Sequence, residues 1–206
     1  MATSKARQSK TASNKRRLGA NASATRLALL QATERVISVE GYAAATSRRV
    51  AEVAGVKQQL VYYYFLTMDD LLLSTFRHTT ERLRRDLDKV LSSDAPLHEL
   101  LALMRNPTRS NIYMEYMALG NHNDAVRAEI VKYTEHVRRL LAKTLSVRLK
   151  PWPRDTDISS PMLAVYLVHS IPQILHFDTA LGMSVGHREV QAYLHQIVDR
   201  LEPNVR

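Results

Sequence analysis

Apolar side chains recur every three to four residues along most of this chain, which is the spacing of one face of an α-helix. The first such stripe lies over residues 29–39 and is followed by Gly41, a residue suited to the left-handed turn that ends a helix. A longer stripe over residues 72–90 is preceded by Thr67 and Asp70, which have the spacing of a capping box. The pattern therefore predicts helices on both sides of residues 42–66.

Helical stripes also cover the second half of the sequence. Pro96 fits the first turn of one helix, and Pro161 opens a strongly apolar helix that runs to about Leu181, after a proline-rich loop over residues 150–160. Other stripes lie over residues 112–119, 126–144 and 190–201. No stretch alternates apolar and polar residues as a strand does, and no internal repeat or glycine-rich phosphate loop occurs. The predicted fold is all-α, with about nine helices.

Two short helical segments separated by Gly55 lie between the first helix and the long one that follows Thr67. The first covers residues 47–54, with Thr46 or Ser47 as its N-cap, and the second covers residues 58–64. Two short helices joined by a turn that contains glycine form a helix-turn-helix. Because helices this short bury little surface alone, the preceding helix is predicted to supply their apolar support.

Three consecutive tyrosines at residues 62–64 stand in the second segment, after Gln58 and Gln59. Each helical residue is rotated about 100° from the last, so at least one phenol must point away from the core that Val61 and Phe65 can reach. A glutamine amide can bind the edge of an adenine in the major groove, and a tyrosine can donate to a phosphate or contact a thymine methyl. The segment is a candidate DNA-reading helix, or else its phenols only rim a small core.

The composition is that of a soluble globular protein. Apolar residues make up 45% and charged residues 24% of 206, enough chain for one large domain or two small ones. There is no cysteine, which excludes disulfides and thiolate metal sites and favours a reducing compartment. No apolar run approaches the roughly 20 residues that span a bilayer, and no apolar segment follows the basic N-terminus as in a secretory signal. The protein is expected to be cytoplasmic, with no membrane partner.

The net charge of +9 is concentrated at the N-terminus. Residues 1–22 hold six Lys or Arg side chains and no acid, which leaves 23 of the 29 basic groups against 20 acidic groups over the rest. Such a stretch, rich in Ser, Thr, Ala and Lys, is expected to be a disordered basic arm. It is either a solvated tail or an arm that binds a polyanion by neutralising phosphates.

Residues 29–72 resemble the N-terminal domain of the tetracycline-repressor (TetR) family of transcriptional regulators. The family pattern has an apolar pair, two small residues, a second apolar pair and Glu-x-Gly-Tyr, here Val39-Glu40-Gly41-Tyr42 with Val39 in place of the glutamate. Further matches follow at fixed spacing: Thr46, Val50-Ala51, Ala54-Gly55-Val56, Val61-Tyr62-Tyr63 and Phe65. The other two thirds of the chain resembles the family only as a helical domain of suitable length. The resemblance implies a sequence-specific DNA-binding regulator, in most cases a repressor that a small-molecule effector releases from its operator.

The resemblance also implies the parts of the chain and the residues that bind DNA. Residues 1–22 would be the basic arm, 23–67 the helix-turn-helix domain and 68–206 a helical ligand-binding and dimerisation domain. The implied DNA-binding residues are Thr46, Ser47, Arg48, Lys57, Gln58, Gln59, Tyr62, Tyr63 and Tyr64. The first two match phosphate contacts and the glutamines match base-reading positions.

Three departures from the family pattern affect the expected grip on DNA. Lys57 replaces a common capping serine, Leu66 replaces a common proline, and Met68 replaces a lysine that usually binds a phosphate. The loss of that lysine predicts a weaker hold on the DNA backbone. We hypothesise that the basic arm at residues 1–22 makes up part of the missing charge.

The apolar helix after Pro161 is apolar on more than one face, so it needs more than one partner. Core burial explains part of this. The resemblance implies that the last two helices also pair across a two-fold axis as a four-helix bundle, which makes a homodimer. Its recognition helices would then lie about one DNA turn, roughly 34 Å, or a multiple apart, on a pseudo-palindromic operator.

A pocket for a small-molecule effector is implied for the central helices. The candidate residues are polar or adaptable side chains on otherwise apolar helices: Met104, Tyr113, Met114, Met117, Tyr166, His169, Gln173 and His176. A core role stays open for each of them, since methionine commonly fills gaps in cores. Pro172 should kink its helix. The apolar bias predicts a hydrophobic or aromatic effector.

Other functions fit the sequence less well. His169 and His176 lie seven apart on one helical face, but no third metal ligand and no paired nucleophile and base accompany them, so no metal, cofactor or catalytic site is predicted. The basic arm would also suit an architectural or RNA-binding protein with little sequence preference, or a helical bundle docked on an anionic membrane. Neither of these alternatives explains the helix-turn-helix pattern.

Overall fold

A computed structural model describes residues 23–149, 158 and 160–203. The predicted basic arm at residues 1–22 and most of the predicted loop at 150–160 lie outside the described residues. Within the described part of the chain the regular elements are nine α-helices and one 3-10 turn, and there is no β-strand. The all-α prediction is confirmed.

The helices are, in chain order, α1 over residues 23–40, α2 Ser47–Ala54, α3 Gln59–Tyr64, α4 Met68–Ser92, α5 Pro96–Met104, α6 Pro107–Gly120, α7 Asp124–Arg148, α8 Pro161–Ala180 and α9 His187–Leu201, with the 3-10 turn at Tyr42–Ala44. The chain divides into an N-terminal and a C-terminal unit between Thr75 and Phe76, inside α4. The boundary predicted from the sequence, between residues 67 and 68, lies at the start of the same helix.

The N-terminal unit is built on α1, as the shortness of α2 and α3 requires. Its core contains apolar residues of all three helices and of the first turn of α4: Leu29, Leu30, Ala32, Val50, Ala51, Val61, Phe65 and Leu71. Val61 and Phe65, predicted to pack inward from their four-residue spacing, are both fully buried. One face of α2 and α3 is therefore held by α1, and the opposite face is left for other contacts.

The ends of α2 follow the expected capping chemistry. The Thr46 hydroxyl accepts a hydrogen bond from the Arg49 amide at 3.2 Å, so Thr46, rather than Ser47, is the N-cap. Gly55 ends the helix with φ of 67°, a left-handed conformation that favours glycine. Gln58 occupies the N-cap position of α3 without a capping hydrogen bond from its side chain.

The capping box before α4 is present in a slightly extended form. The Asp70 amide donates to the Thr67 hydroxyl at 3.1 Å, and the Asp70 carboxylate accepts from the Leu66 amide, also at 3.1 Å. The acidic side chain thus satisfies the amide one residue before the threonine. Both bonds fix the direction in which the chain leaves α3.

The C-terminal unit has its core around α8. This helix packs against α5, α6, α7 and α9, and its buried face includes Ala164, Val165 and Val168. Ser160 caps the helix by accepting from the Leu163 amide at 3.2 Å. The many neighbours of α8 explain why its sequence is apolar on more than one face.

The C-terminal end of the chain caps the start of α5. The N-cap position of α5 is Ala95, which has no side-chain acceptor. The buried carboxylate of Glu202 accepts instead from the Leu97 amide at 2.9 Å and from the His98 amide at 3.2 Å. This contact joins residues more than 100 positions apart and ties α9 to α5.

Candidate DNA-binding surface and ligand cavity

The buried hydroxyl of Ser47 joins α2 to α3. Ser47 is 8% exposed, and its Oγ accepts from Nε2 of Gln58 at 2.8 Å and from the hydroxyl of Tyr62 at 3.3 Å. Ser47 therefore orients Gln58 and Tyr62, two side chains that are expected to contact DNA. Thr46 and Arg48, the residues on either side of Ser47, are exposed.

The tyrosines of α3 differ in exposure. Tyr63 is 75% exposed and Tyr62 is also exposed, whereas Tyr64 is half-buried against the core of the N-terminal unit. The rings of Tyr63 and Tyr64 meet edge to face at 4.9 Å between centroids. Gln58 and Gln59 are exposed as well. The expectation that at least one phenol points outward is confirmed.

The two adjacent arginines of α2 have different roles. Arg49 forms ion pairs with Glu40 at 2.8 Å and with Glu52 at 3.1 Å, and its hydrogen bond holds the pKa of the Glu40 carboxyl below the ordinary value. Arg48 is exposed, and no ion pair to it occurs among residues 23–149 and 160–203. Arg48 is therefore the cation of this helix that is available to an outside anion.

A cavity of about 50 Å³ in the C-terminal unit is lined by residues of α4, α5, α6, α7 and α8. It brings together half of the predicted ligand-binding residues: Met104, Tyr113, His169 and Gln173. Five residues that the sequence analysis did not select complete its lining: Leu83, Arg109, Ser110, Tyr133 and Thr134. Of these, only Arg109 had a usable signal, since it is a charged residue one helical turn before Tyr113.

The other four predicted ligand-binding residues lie elsewhere in the C-terminal unit. Met114 does not line this cavity, and Met117 is exposed on the same helix. Tyr166 is exposed, with the Arg138 guanidinium 4.2 Å above its ring. His176 bonds to Asn111 at 2.6 Å and lines a second cavity, of about 210 Å³, between α5, α8 and α9.

His169 and His176 consequently do not face a common site. One lines the smaller cavity and the other lines the larger one. In the described ranges of the chain, no group of three or more histidine, aspartate or glutamate side chains is arranged to hold a metal ion.

The N-terminal unit matches a known family of regulators. Residues 29–75 match the sequence profile described as "Bacterial regulatory proteins, tetR family". The match places residues 29–75 in the TetR family. Relatives named HTH-type transcriptional regulator BetI include one from Rhizobium meliloti, 34% identical over 120 residues, and one from Agrobacterium fabrum, 27% identical over 195 residues.

The two relatives match this chain over different lengths. The match spans 56% of this chain and 56% of the Rhizobium protein, so it covers about half the length of that relative. With the Agrobacterium protein it spans 88% of this chain and 94% of the relative. The family profile itself is matched within the N-terminal unit, at residues 29–75.

Solved structures agree with the TetR fold over both units. A TetR transcription regulator from Haloarcula marismortui has a TM-score of 0.67 and 22% identity, over 86% of this chain and 97% of that one. A transcriptional regulator from Saccharomonospora viridis in complex with choline has a TM-score of 0.69 and 19% identity, over 86% and 96%. At these identities the likeness establishes the fold alone.

The smaller cavity contains ionisable groups with shifted pKa values. Burial, together with the nearby cations Arg138 and Arg109, lowers the pKa of His169 to about 4, so this histidine is neutral near pH 7. Burial raises the pKa of Tyr133 to about 12. Burial also lowers the pKa of Arg109, which indicates that its charge is poorly solvated.

Several apolar side chains of α8, α9 and the connection between them are exposed in the single chain: Met162, Leu163, Tyr166, Ile174, Phe177, Leu181, Met183, Val185 and Tyr193. Scattered apolar residues are normal on a surface, but a concentration of them marks an interaction site. Among the helices of the described residues, none is long and apolar enough to cross a bilayer.

Proposed function

We propose that this TetR-family chain is a homodimeric, ligand-responsive regulator that binds a pseudo-palindromic DNA operator. It acts as a repressor that a small effector releases. The observation that carries the proposal is the outer face of α3, where exposed Gln58, Tyr62 and Tyr63 stand beside the exposed Arg48 of α2 on a well-packed support. Exposed amide, phenol and guanidinium groups on one short helix pair suit base edges and phosphates in a major groove.

Each exposed group has a distinct role in the proposed complex. Gln58 and Gln59 read base edges at the start of α3, and Arg48 reaches a base from α2. Thr46, Lys57 and the tyrosines contact phosphates or thymine methyls. Ser47 is a positioning residue, because its hydroxyl already accepts from Gln58 and Tyr62 and so sets the directions of both.

The described part of the N-terminal unit has a net charge near zero, so it contributes little general electrostatic attraction to DNA. Residues 23–75 contain five Lys or Arg and five Asp or Glu side chains. Non-specific attraction to DNA scales with the number of phosphates neutralised. The near-neutral unit favours sequence reading over general attraction, and it is consistent with the hypothesis that the six basic residues of the arm supply the remaining grip.

Replacing Gln58 or Arg48 with Ala should lower the affinity for the operator by about 1–3 kcal/mol for each base that the side chain reads. The operator is found by footprinting the DNA that flanks the chain's own gene, and the affinity is measured at fixed salt on that operator and on random DNA. Specific binding should weaken while binding to random DNA changes little.

Matched controls separate base reading from general attraction. Arg35→Ala removes the same charge from an exposed position of α1, and Gln31→Ala removes an exposed amide there. Both should leave the operator preference intact. Equal weakening on operator and random DNA for the α2 and α3 variants would instead favour the alternative function, a non-specific architectural nucleic-acid-binding protein.

The proposed dimer forms through α8 and α9. The exposed apolar side chains of these helices support it, because a second copy would cover them in a two-fold bundle. The larger cavity, between α5, α8 and α9, lies on the same helices and would be closed or narrowed by that partner. The two copies would present their α3 helices to successive major grooves.

Ile174→Lys should shift the protein from dimer to monomer. Ile174 is exposed on α8, and a buried, unpaired lysine at an interface is strongly unfavourable. Sedimentation velocity measures the assembly directly. Val147→Lys is the control, because it places the same charge at an exposed apolar position of α7. A dimer unaffected by Ile174→Lys and by the corresponding change at Phe177 would contradict this interface.

The smaller cavity is the proposed effector site. The Saccharomonospora viridis regulator of the same fold was solved with choline, which supports the view that this fold holds a small molecule. In this chain the cavity is lined by residues of five helices and contains both apolar and polar groups. A ligand that fits it could shift those helices and so weaken operator binding.

A further inference from the structure

The smaller cavity contains a cation that is incompletely neutralised. The Arg109 side chain is 19% exposed, and its guanidinium lies 3.2 Å from the Asp86 carboxylate. The same carboxylate also pairs with Lys89 at 3.6 Å. One partly exposed acid is thus shared between two cations, although a buried guanidinium is stable only with good anionic partners.

A second arginine adds to the positive potential beside the cavity. Arg138 lies over the ring of Tyr166 and donates to its hydroxyl at 2.9 Å, and its Nε is buried with no hydrogen-bond partner among the described groups. An aromatic face and a phenol stabilise this cation without neutralising it. Both arginines act on His169, whose pKa they lower in addition to the effect of burial.

His169, a residue of the cavity lining, has an unsatisfied polar atom. The residue is nine-tenths buried, and Nδ1 has no hydrogen-bond partner among the described residues. Its backbone carbonyl accepts from the side-chain Nε2 of Gln173 at 2.9 Å, so the Gln173 side chain is held against its own helix α8. A buried ring nitrogen without a partner is costly, and a ligand that accepts from it would remove the cost.

We propose that this cavity binds the carboxylate of a small apolar acid. The carboxylate pairs with Arg109 and accepts from His169, and the apolar part of the acid lies against Met104, Tyr113 and Tyr133. The ligand then adds a second anion beside Asp86, whose carboxylate already pairs with both Arg109 and Lys89. The assignment rests on the proposed function in one respect, since it names the chemical class of the effector.

The charge and the size of the cavity both restrict the ligand. A cationic ligand would add a further positive charge at a poorly solvated site and is therefore disfavoured. A volume of about 50 Å³ holds a few water molecules, whereas a dry cavity of about 150 Å³ can hold benzene. Short acids fit as the cavity stands, and an aromatic acid requires α6 or α8 to move outward.

The test measures ligand binding by the full chain without DNA. Calorimetry compares acetate, butyrate and benzoate with their neutral isosteres acetamide, butyramide and benzamide, and with benzyltrimethylammonium as a cation. At least one carboxylate should bind about 10-fold or more tightly than its amide, as expected for a charge-assisted bond to arginine. The cation should not bind.

Variants of Arg109 assign the preference to this cavity. Arg109→Gln should abolish the preference for carboxylate over amide, and Arg109→Lys, which keeps the charge, should retain most of it. Arg139→Gln is the control, since Arg139 is exposed on α7 and paired with Glu135. Thermal melting of each variant, followed by circular dichroism, verifies folding. If Arg109→Gln is unstable, Arg109→Lys still tests the site, because loss of the carboxylate preference in a folded variant that keeps the charge would contradict the inference.

The outcomes separate this inference from the proposed function. Failure of every carboxylate to bind, equal binding of acid and amide, or an unchanged preference in Arg109→Gln would overturn the inference, whatever the chain does on DNA. Carboxylate binding through Arg109 supports the site even if operator binding fails, in which case the proposed regulator is wrong. If a carboxylate binds through Arg109 but the operator affinity does not change, the cavity is an acid-binding site and the acid is not the effector.

Discussion

Phe65→Ala is expected to lower the free energy of unfolding of the N-terminal unit by about 3–5 kcal/mol, as for other fully buried phenylalanines. The Phe65 side chain is 1% exposed and closes the core that α1, α2, α3 and the first turn of α4 share. The Arg26 guanidinium, 4.9 Å from its ring centroid, would also be deprived of its aromatic partner. Because the unit is small, such a destabilisation should leave α2 and α3 largely unfolded and abolish operator binding.

Hydrogen exchange measured by mass spectrometry would detect this effect in the intact chain. Amide protection should fall across residues 29–71 and remain in the C-terminal unit. The control is Leu66→Ala, the next residue, which is 89% exposed and should change the free energy of unfolding by no more than about 0.5 kcal/mol. Equal effects of the two substitutions would contradict the described core.

Glu202→Gln is expected to lower the free energy of unfolding of the C-terminal unit by about 2–4 kcal/mol, given the usual worth of buried hydrogen bonds to a charged group. The buried carboxylate accepts from the Leu97 and His98 amides and contacts Nδ1 of His98 at 3.0 Å. A glutamine has one acceptor oxygen, and its NH₂ group would face donors. Chemical denaturation followed by circular dichroism measures the change, with Glu189→Gln, an exposed acid of α9, as the control.

The effect of Glu202→Gln should depend on pH through His98. Burial alone lowers the pKa of His98, but the hydrogen bonds to Asp199 and Glu202 outweigh it and hold the pKa above the ordinary 6.5. A raised folded-state pKa means that this contribution is fully present below about pH 6.5 and is lost as the pH rises through the folded value. The difference between wild type and variant should therefore be larger at pH 6 than at pH 9. A difference that grows with pH would contradict this assignment.

The order and type of the helices were predictable because their signals are local. The stripe over residues 29–39, the cap at Thr46, the turn at Gly55 and the capping box at Thr67 each depend on residues within one or two turns of each other. Such signals act on the backbone where they occur, whatever the rest of the chain does. The outward phenols of α3 follow from helical geometry for the same reason.

The ligand cavity was predictable only in part, because residues of five different helices line it. Met104, Tyr113, His169 and Gln173 could be selected as adaptable residues on apolar helices, but their neighbours Leu83 and Tyr133 had the pattern of ordinary core positions. Met117 and Tyr166 fit the same rule equally well and lie on the surface. Residue type restricts the candidates, and only the packing of the helices selects among them.

By itself, the amino-acid sequence determined that this protein is all-helical, where its helix-turn-helix lies and that at least one phenol of α3 points away from the core. These properties depend on periodicity and capping, which act over a few residues. The tertiary structure alone decided that Ser47 orients Gln58 and Tyr62, that Glu202 caps α5, and that Arg109 lines a cavity while paired with Asp86. Those contacts join residues 11 to more than 100 positions apart, and no local pattern encodes such distances.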